Sequence, residues 1–576
     1  MPELTTQPVI RSGEVPTGAS REEGCKDPAR ADRVVEIILS ALLWLLISLF
    51  VIVALRANIH RYERFAMRLD MAVFDQGTWL ISRGYPPFVT VRGTGLLADH
   101  FSAILYLVAP LYRLWASPKL LLAIQAIAMG LGALPIYKIA QYKTRSPHIA
   151  LLCAVAYLAY PAVQYVAVDE FHPESVSVVL LLSAFYCLHV RRVGLMIAML
   201  AAACLTKETT GLTVIFFGLY ALSVDRRSGA LTILIGIVAM ATAFGTMRYC
   251  NHGQPSGYIT LYNRFGDTPA AIVGYLLGHS GVLASQLFGH SMRRYLFDLL
   301  APVMFLSLLA PEVLGVAIPA LLTNALSSRP YMRGLIGHFT VLITPFVFCA
   351  AIVGTERLLR RRNTIAVRVL FSCLIVCLLF TSVRGPLVMD ADTPDHFFSA
   401  SSCLDIREML KRIPPGASVS AQAELLAFLS HRREIYLFPN PAFVSQYGPS
   451  IQAQLQVDHG DERQCPSGLF QARLAQSGVD YIALCATPAT VSRLSRSCSI
   501  DALESPAYGV IATARHAILL CRGAEHLDGL RRLSKMCGCA VDDKAGIARA
   551  YDTWIALQFP DFMSRRDVRS HVTAVN

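Results

Sequence analysis

Hydrophobic residues fall in long uncharged blocks up to about residue 382, separated by short polar connections, and the pattern then changes. The clearest block, Ile37 to Leu55, has 19 residues with two serines and no charge. That is enough to cross a hydrocarbon core of about 30 Å at 1.5 Å per residue. Later blocks predict spans near 119–141, 147–167, 174–190, 194–206, 209–223, 229–248, 270–290, 296–326, 337–354 and 365–382, about eleven in total. The block 102–116 is short and interrupted by Pro110, so it reads as an interfacial or re-entrant helix. The blocks 194–206 and 209–223 are short enough to be one broken pair.

From about Pro394 the pattern becomes α/β. Leu404–Ile413 and Glu424–Ser430 read as helices; Ser418–Ala421, Glu434–Phe438, Tyr481–Cys485 and His516–Cys521 read as strands. The expected organisation is a tail over 1–33, a transmembrane domain over 34–383 with its first external loop at 56–100, an external α/β domain over 394–540, and a polar tail over 541–576. No short apolar segment with a small-residue cleavage site precedes Ile37, so the first span reads as a retained anchor.

Basic residues set the expected orientation, because cytoplasmic loops carry the Lys/Arg excess. Lys143/Arg145, Arg191/Arg192, Arg226/Arg227 and Arg357 with Arg360–Arg362 then lie in the cytoplasm with the N-terminus. The Asp70–His100 stretch, the run Asp169–Glu174, the segment Asn251–Asp267 and the C-terminal domain fall outside. Arg61, Arg64 and Arg68, on the outer side of the first span, go against the rule.

Composition agrees with a membrane protein. Hydrophobic residues make up 54% and charged residues only 16%, against about 25% charged in soluble domains. A disordered chain, a coiled coil and an ordinary soluble enzyme are excluded. The net charge of +12 is explained by basic loops facing anionic lipid, with no need for nucleic acid. Neither a Walker Gly-x-x-x-x-Gly-Lys loop nor a Gly-x-Gly-x-x-Gly turn is present, which argues against an ATP-driven pump or a cytosolic nucleotide-sugar site.

Charged residues at membrane depth are costly and are usually paired or functional. They recur at the expected outer mouths of the spans: Asp70, Asp75, Asp99, His100, Asp169, His172, Glu174, Lys207, Glu208, Arg264, Glu312, Arg329 and His338. Interfacial capping explains any single one; it explains the accumulation on one side less well.

Several of these residues sit in motifs. Asp70-Met71-Ala72-Val73-Phe74-Asp75-Gln76 is followed by Trp79, then Ala98-Asp99-His100-Phe101-Ser102, and later Asp169-Glu170-Phe171-His172-Pro173-Glu174, Leu205-Thr206-Lys207-Glu208 and Ala310-Pro311-Glu312. With Ala417–Gln422 and Tyr436–Pro439, these resemble, over roughly residues 35–440, the bacterial membrane proteins grouped as domain of unknown function 2079. That family is similar in architecture to the GT-C glycosyltransferases, and the Asp70-x-x-Val-Phe pattern resembles the catalytic loop of polyprenyl-phosphate-sugar-dependent mannosyltransferases.

The resemblance implies a GT-C-like enzyme of the bacterial inner membrane. It would transfer a hexosyl or pentosyl group from a polyprenyl-phosphate sugar to an envelope glycan, lipid or protein acceptor at the outer face. Asp70 is the first candidate base and Asp75 the second. Five residues apart, they are separated by about 140° on a helix, so only one can face the reaction. Lys207 is a candidate phosphate ligand or half of an ion pair with Glu208. Arg264 and Arg329 are further phosphate candidates or plain surface residues, and His100, His172, Glu174 and Glu208 are candidate substrate contacts. The run 169–174, with His100 added, leaves room for a divalent metal, but Pro173 prevents a regular helical ligand face and no metal ligand is assigned. His338 reads as interfacial. The alternatives are a transporter or flippase of a lipid-linked glycan, which should show internal repeats, and a non-catalytic scaffold in envelope assembly.

Seven of fifteen cysteines lie in the C-terminal domain: Cys403, Cys465, Cys485, Cys498, Cys521, Cys537 and Cys539. Disulfides can form outside the membrane, but the number is odd and the connectivity is open.

Overall fold

A computed structural model describes residues 28–253, 257–361, 363–386, 398–442, 467–486, 493–525, 531, 534–535 and 544–558. Three helices among them are long and apolar enough to cross a membrane: Arg33–Glu63, Pro118–Thr144 and Arg226–Cys250. Two bent pairs raise the number to five: Pro147–Leu158 with Pro161–Val168, at 51°, and Pro269–Gly278 with Ser280–Phe288, at 95°. Other apolar helices, including Ser175–His189, Val193–Cys204 and Thr210–Leu222, have only 10–17 residues. The expectation of about eleven full spans is corrected accordingly.

Proline is the main reason. It removes a backbone donor and clashes with the preceding turn, and Pro161 and Pro269 begin new helices after a bend or loop. The block expected at 296–326 carries Pro302, Pro311 and Pro319, and it breaks into helical turns ending in the Ile318–Leu326 helix. Met304 and Phe305 between them take left-handed backbone angles.

The helices Thr210–Val224 and Arg226–Cys250 form an antiparallel hairpin. Gly211 and Gly218 on one, and Gly229 and Gly236 on the other, lie at seven-residue spacing. A methyl group at Gly229 would sit 2.4 Å from Leu222 N, and one at Gly236 would sit 2.8 Å from Gly211 O. Small residues let the two backbones touch, which is how helices associate where lipid removes the hydrophobic drive.

The helical block has two chemically distinct ends. At one, Lys143 pairs with Glu356 at 3.6 Å, Arg191 with Asp225 at 3.5 Å and Arg357 with Glu312 at 2.5 Å. The helix Pro118–Thr144 carries Lys143 to this end. Its other end holds Lys119, paired with Glu63 at 2.8 Å, and Gln125, bonded to the backbone of Asp169 and Glu170. Glu312, expected among the outer acidic residues, therefore belongs to the basic end. Arg61 and Arg64 lie at the acidic end and have partners there: Arg61 donates to Val168 O and Arg64 to Phe398 O at 2.9 Å.

A short antiparallel pair, β1 (Phe88–Val89) and β2 (Thr94–Gly95), follows the first helices. The C-terminal residues form a five-stranded mixed sheet from β3 (Val419–Ala421), β4 (Ile435–Leu437), β5 (Tyr481–Cys485), β6 (Tyr508–Ala514) and β7 (Ala517–Arg522). The order is β4-β3-β5-β7-β6, with β3 parallel to β4 and β5, and β7 antiparallel to β5 and β6. Strand β6 was not foreseen. The tail expected from 541 includes a helix, Lys544–Gln558, whose Trp554 is buried in the core on one face of the sheet. The other face packs on the segment that follows the first helix, through Tyr62, Phe65, Phe74 and Val89. Cys403, Cys485 and Cys521 are free thiols and Cys498 is buried; Cys465, Cys537 and Cys539 lie outside the described residues, as do the N-terminal tail to residue 27 and residues 559–576.

Replacing Gly229 with leucine should lower stability by about 2 kcal/mol or more, because its side chain meets backbone rather than a movable side chain. Thermal unfolding of the detergent-solubilised protein should fall by several degrees relative to Ser228→Ala, and equal midpoints would show that the two backbones do not meet.

Candidate functional site

The helix Leu69–Ser82 carries both aspartates of the first motif. Its own N-cap residue, Arg68, supplies no side-chain cap. Glu170, from the loop after Pro161–Val168, does so instead, accepting from Arg68 N at 2.6 Å and Met71 N at 3.0 Å. Two orphan donors are thereby satisfied by a carboxylate at the positive end of the helix dipole. Burial, with Asp70 and Asp169 nearby, raises Glu170 to about 7. The loop itself is held by the buried Gln125 side chain, which donates to Asp169 O and Glu170 O and accepts from His172 N at 2.9 Å.

Asp70 lies in the first turn of this helix. Its side chain is 45% accessible and its Oδ2 lies 3.4 Å from His172 Nε2. It lies at the edge of the charged cluster, with His172, Arg92 and His338 close enough to act on it. Burial alone would raise its pKa, but the hydrogen bond and charge of His172, with Arg92 adding to them, outweigh this and hold the carboxyl well below the usual carboxylate range. His172 Nδ1 lies 2.8 Å from Glu170 O. Burial opposes charge on this imidazole, but Asp70, Asp169 and Glu174 raise it to about 9.

A chain of contacts extends from this pair. The His172 ring stacks on His338, with centroids 3.6 Å apart. His338 Nε2 lies 3.7 Å from Glu174 Oε1, and Glu174 pairs with Lys207 Nζ at 2.5 Å. The next residue, Glu208, pairs with His100 Nδ1 at 3.1 Å and accepts from Phe101 N. His100 stacks on Tyr258, whose hydroxyl accepts from Arg92 at 2.7 Å, and Arg92 pairs with Asp99 at 3.2 Å. His100, His172, Glu174, Lys207 and Glu208 are thus brought together with Asp70. Lys207 is an ion-pair partner of Glu174, across the bundle, rather than of its neighbour Glu208.

Asp75 points elsewhere. It is fully buried and accepts from Tyr112 OH at 2.6 Å and from Ser430 Oγ, with His431 Nε2 at 2.9 Å. These partners join the helix to the α/β domain, and Gln76 adds bonds to Thr90 Oγ1 and Arg432 O. Asp75, the second candidate base, is thus buried and tied to Tyr112, Ser430 and His431, while Asp70 is the accessible one of the two. Arg264 lies exposed, bonded to Gln286 Oε1 and Leu326 O, and Arg329 donates to Tyr331 OH at 2.5 Å. Neither makes a described contact with the Asp70 group.

Sequence reading missed Arg92, Tyr258 and Glu170 as members of the site and took His338 as interfacial. Arg92 sits beside Gly93 in an unremarkable turn, and only the fold turns it towards Asp99 and Tyr258. Asp169, His172 and His338 bring three possible metal-ligand atoms within 4.8 Å of one another.

The fold and site define a polytopic helical membrane protein with a charged cluster at one end of the bundle, beside an α/β domain. The chain belongs to the family described as predicted membrane protein DUF2079, whose profile matches residues 61–456. No curated protein matches it. Among solved structures, it is similar to ArnT from Cupriavidus metallidurans bound to undecaprenyl phosphate, with 13% identity and a TM-score of 0.47, covering 84% of this chain and 99% of that one. The apo form of the same protein gives 14% identity and a TM-score of 0.47, covering 86% and 98%. Likeness at this level does not extend to substrate or activity.

The Asp75–His431 pair should make stability depend on pH. Burial opposes charge on His431, but the charge and hydrogen bond of Asp75 outweigh it and raise the imidazole above its ordinary 6.5, with Arg83 and Arg432 working against the shift. A raised folded value means the contribution is complete below about pH 6.5 and is lost as pH rises through the folded value. The thermal midpoint of the wild type should therefore exceed that of His431→Gln most at pH 6, with the gap narrowing at higher pH. A gap that widens with pH would contradict the pairing.

Proposed function

We propose that this protein is a glycosyltransferase of the bacterial inner membrane, moving a hexosyl or pentosyl group from a polyprenyl-phosphate sugar to a hydroxyl of an envelope glycan, lipid or protein. The observation that carries the reading is Asp70: a partly accessible carboxylate, 3.4 Å from His172 Nε2, at the charged end of a membrane bundle. The basic end, with Lys143, Arg191, Arg226 and Arg357, faces the cytoplasm in this reading. The acidic end, with the α/β domain, then faces outward.

The chemistry follows from the groups present. The lipid chain of the donor stays in the bilayer while its phosphate and anomeric carbon reach the charged cluster. Asp70 accepts a hydrogen bond from the acceptor hydroxyl and takes its proton as the oxygen attacks the anomeric carbon and the phosphate departs. Arg92 and Lys207 offset charge gathering on the leaving phosphate. His172 holds the carboxylate in place, and Glu170 holds the helix that carries it. Arg264 and Arg329 have no part in this proposal.

Purified protein should transfer label from a polyprenyl-phosphate sugar to an envelope acceptor, and Asp70→Asn should reduce the rate by about 10²–10⁴-fold without lowering the thermal midpoint. Undiminished transfer by Asp70→Asn would exclude Asp70 as the base. No transfer from any of a panel of hexosyl and pentosyl donors would remove the whole reading.

A further inference from the structure

The charged cluster has an electrostatic difficulty. The connected side chains include six carboxylates: Asp70, Asp99, Asp169, Glu170, Glu174 and Glu208. Two permanent cations, Arg92 and Lys207, stand among them. Carboxyl groups therefore outnumber these two permanent cations by four. Arg61 flanks the group as a further cation and donates to Val168 O. A phosphate entering such a cluster would be repelled, because like charges in a low-dielectric site interact strongly.

Three donor groups point to the remedy. Asp169 and His172 lie three residues apart on one loop, and His338 comes from a distant one. Gly337 sets up that approach: its φ of 86° with ψ near 180° is a backbone region open essentially to glycine alone. A methyl group there would touch the Phe339 ring at 3.3 Å and lie 3.6 Å from Asp169 Oδ2. The backbone thus turns where it must for His338 to lie flat on His172. Their rings are 3.6 Å apart at 26°, and the candidate ligand atoms of Asp169, His172 and His338 all lie within 4.8 Å of one another. Gln125 fixes the loop from behind, and His172 Nδ1 faces Glu170 O, the kind of outer contact that orients a ligating imidazole.

We propose that Asp169, His172 and His338 bind one divalent transition-metal ion. Two imidazoles and a carboxylate favour zinc-like ions over magnesium or calcium. The ion would supply the missing positive charge and an electrophilic point for an anionic phosphate, a role that rests on the transferase reading; the binding itself does not.

The test is metal binding by the full chain in detergent after chelator treatment, titrated with Zn2+ and, separately, with Mn2+ and Mg2+. One Zn2+ should bind per chain, more tightly than Mg2+, and His338→Ala and Asp169→Asn should each weaken it by roughly tenfold or more. His279→Ala, a histidine on an exposed helix end, should leave it unchanged. X-ray absorption of the Zn2+-loaded wild type should show imidazole in the first shell, which keeps the test valid if a variant fails to fold. A sulfur-containing or imidazole-free shell, substoichiometric binding, or equal affinity in His338→Ala would overturn the proposal. Asp70→Asn should lose transfer yet keep the metal, and metal binding with no transfer from any donor would sustain this site while removing the transferase reading.

Discussion

A carboxylate with no access to water needs donors, and Asp75 finds its donors on both sides of a boundary. Tyr112 reaches it from the segment following the first loop, and Ser430 and His431 reach it from the α/β domain. Breaking any of these contacts would leave charge or polar groups stranded in the core, which costs several kcal/mol. The helix Leu69–Ser82 is therefore fixed in rotation as well as in position. Asp70, about 140° away around the helix, is turned away from that interface and towards the charged cluster.

The rest of the site repeats this logic on a larger scale. Charges cannot remain within the hydrocarbon layer, so they collect at the two ends of the bundle and pair there. At the basic end Lys143, Glu356, Arg357 and Glu312 pair with one another and line a cavity of about 470 Å3 with His189 and Tyr220. At the acidic end the pairing is incomplete: carboxylates outnumber cations, and Asp70 stays accessible.

Much of this was legible along the chain, and the failures are specific. The ends of Ser175–His189, Val193–Cys204 and Thr210–Val224 lie close to the apolar blocks, because a block bounded by charge or proline leaves little freedom. Four of the five strands of the main sheet follow from apolar runs between turn residues, while β6, Tyr508–Ala514, is weakly apolar because it carries Gly509, Thr513 and two alanines. The block 296–326 was misjudged as one span because mean hydropathy ignores what proline does to the hydrogen-bond ladder. The tail from 541 looked polar, yet the period of Ile547, Ala550, Tyr551 and Trp554 builds one apolar helical face.

Within the site, the sequence by itself determined which residue types were available and that most of them sit at span ends, because burying charge in lipid is prohibitive wherever the fold places it. It also determined that Asp70 and Asp75 must diverge, since helical geometry is local. Only the tertiary structure decided which of the two is exposed, that Lys207 pairs with Glu174 instead of Glu208, that Glu170 caps a helix about a hundred residues away, and that His338 lies flat on His172. Each of these depends on which distant segments pack together. That choice is made by the shape of the bundle and by the glycine-lined contacts within it, and no local pattern in the chain encodes it.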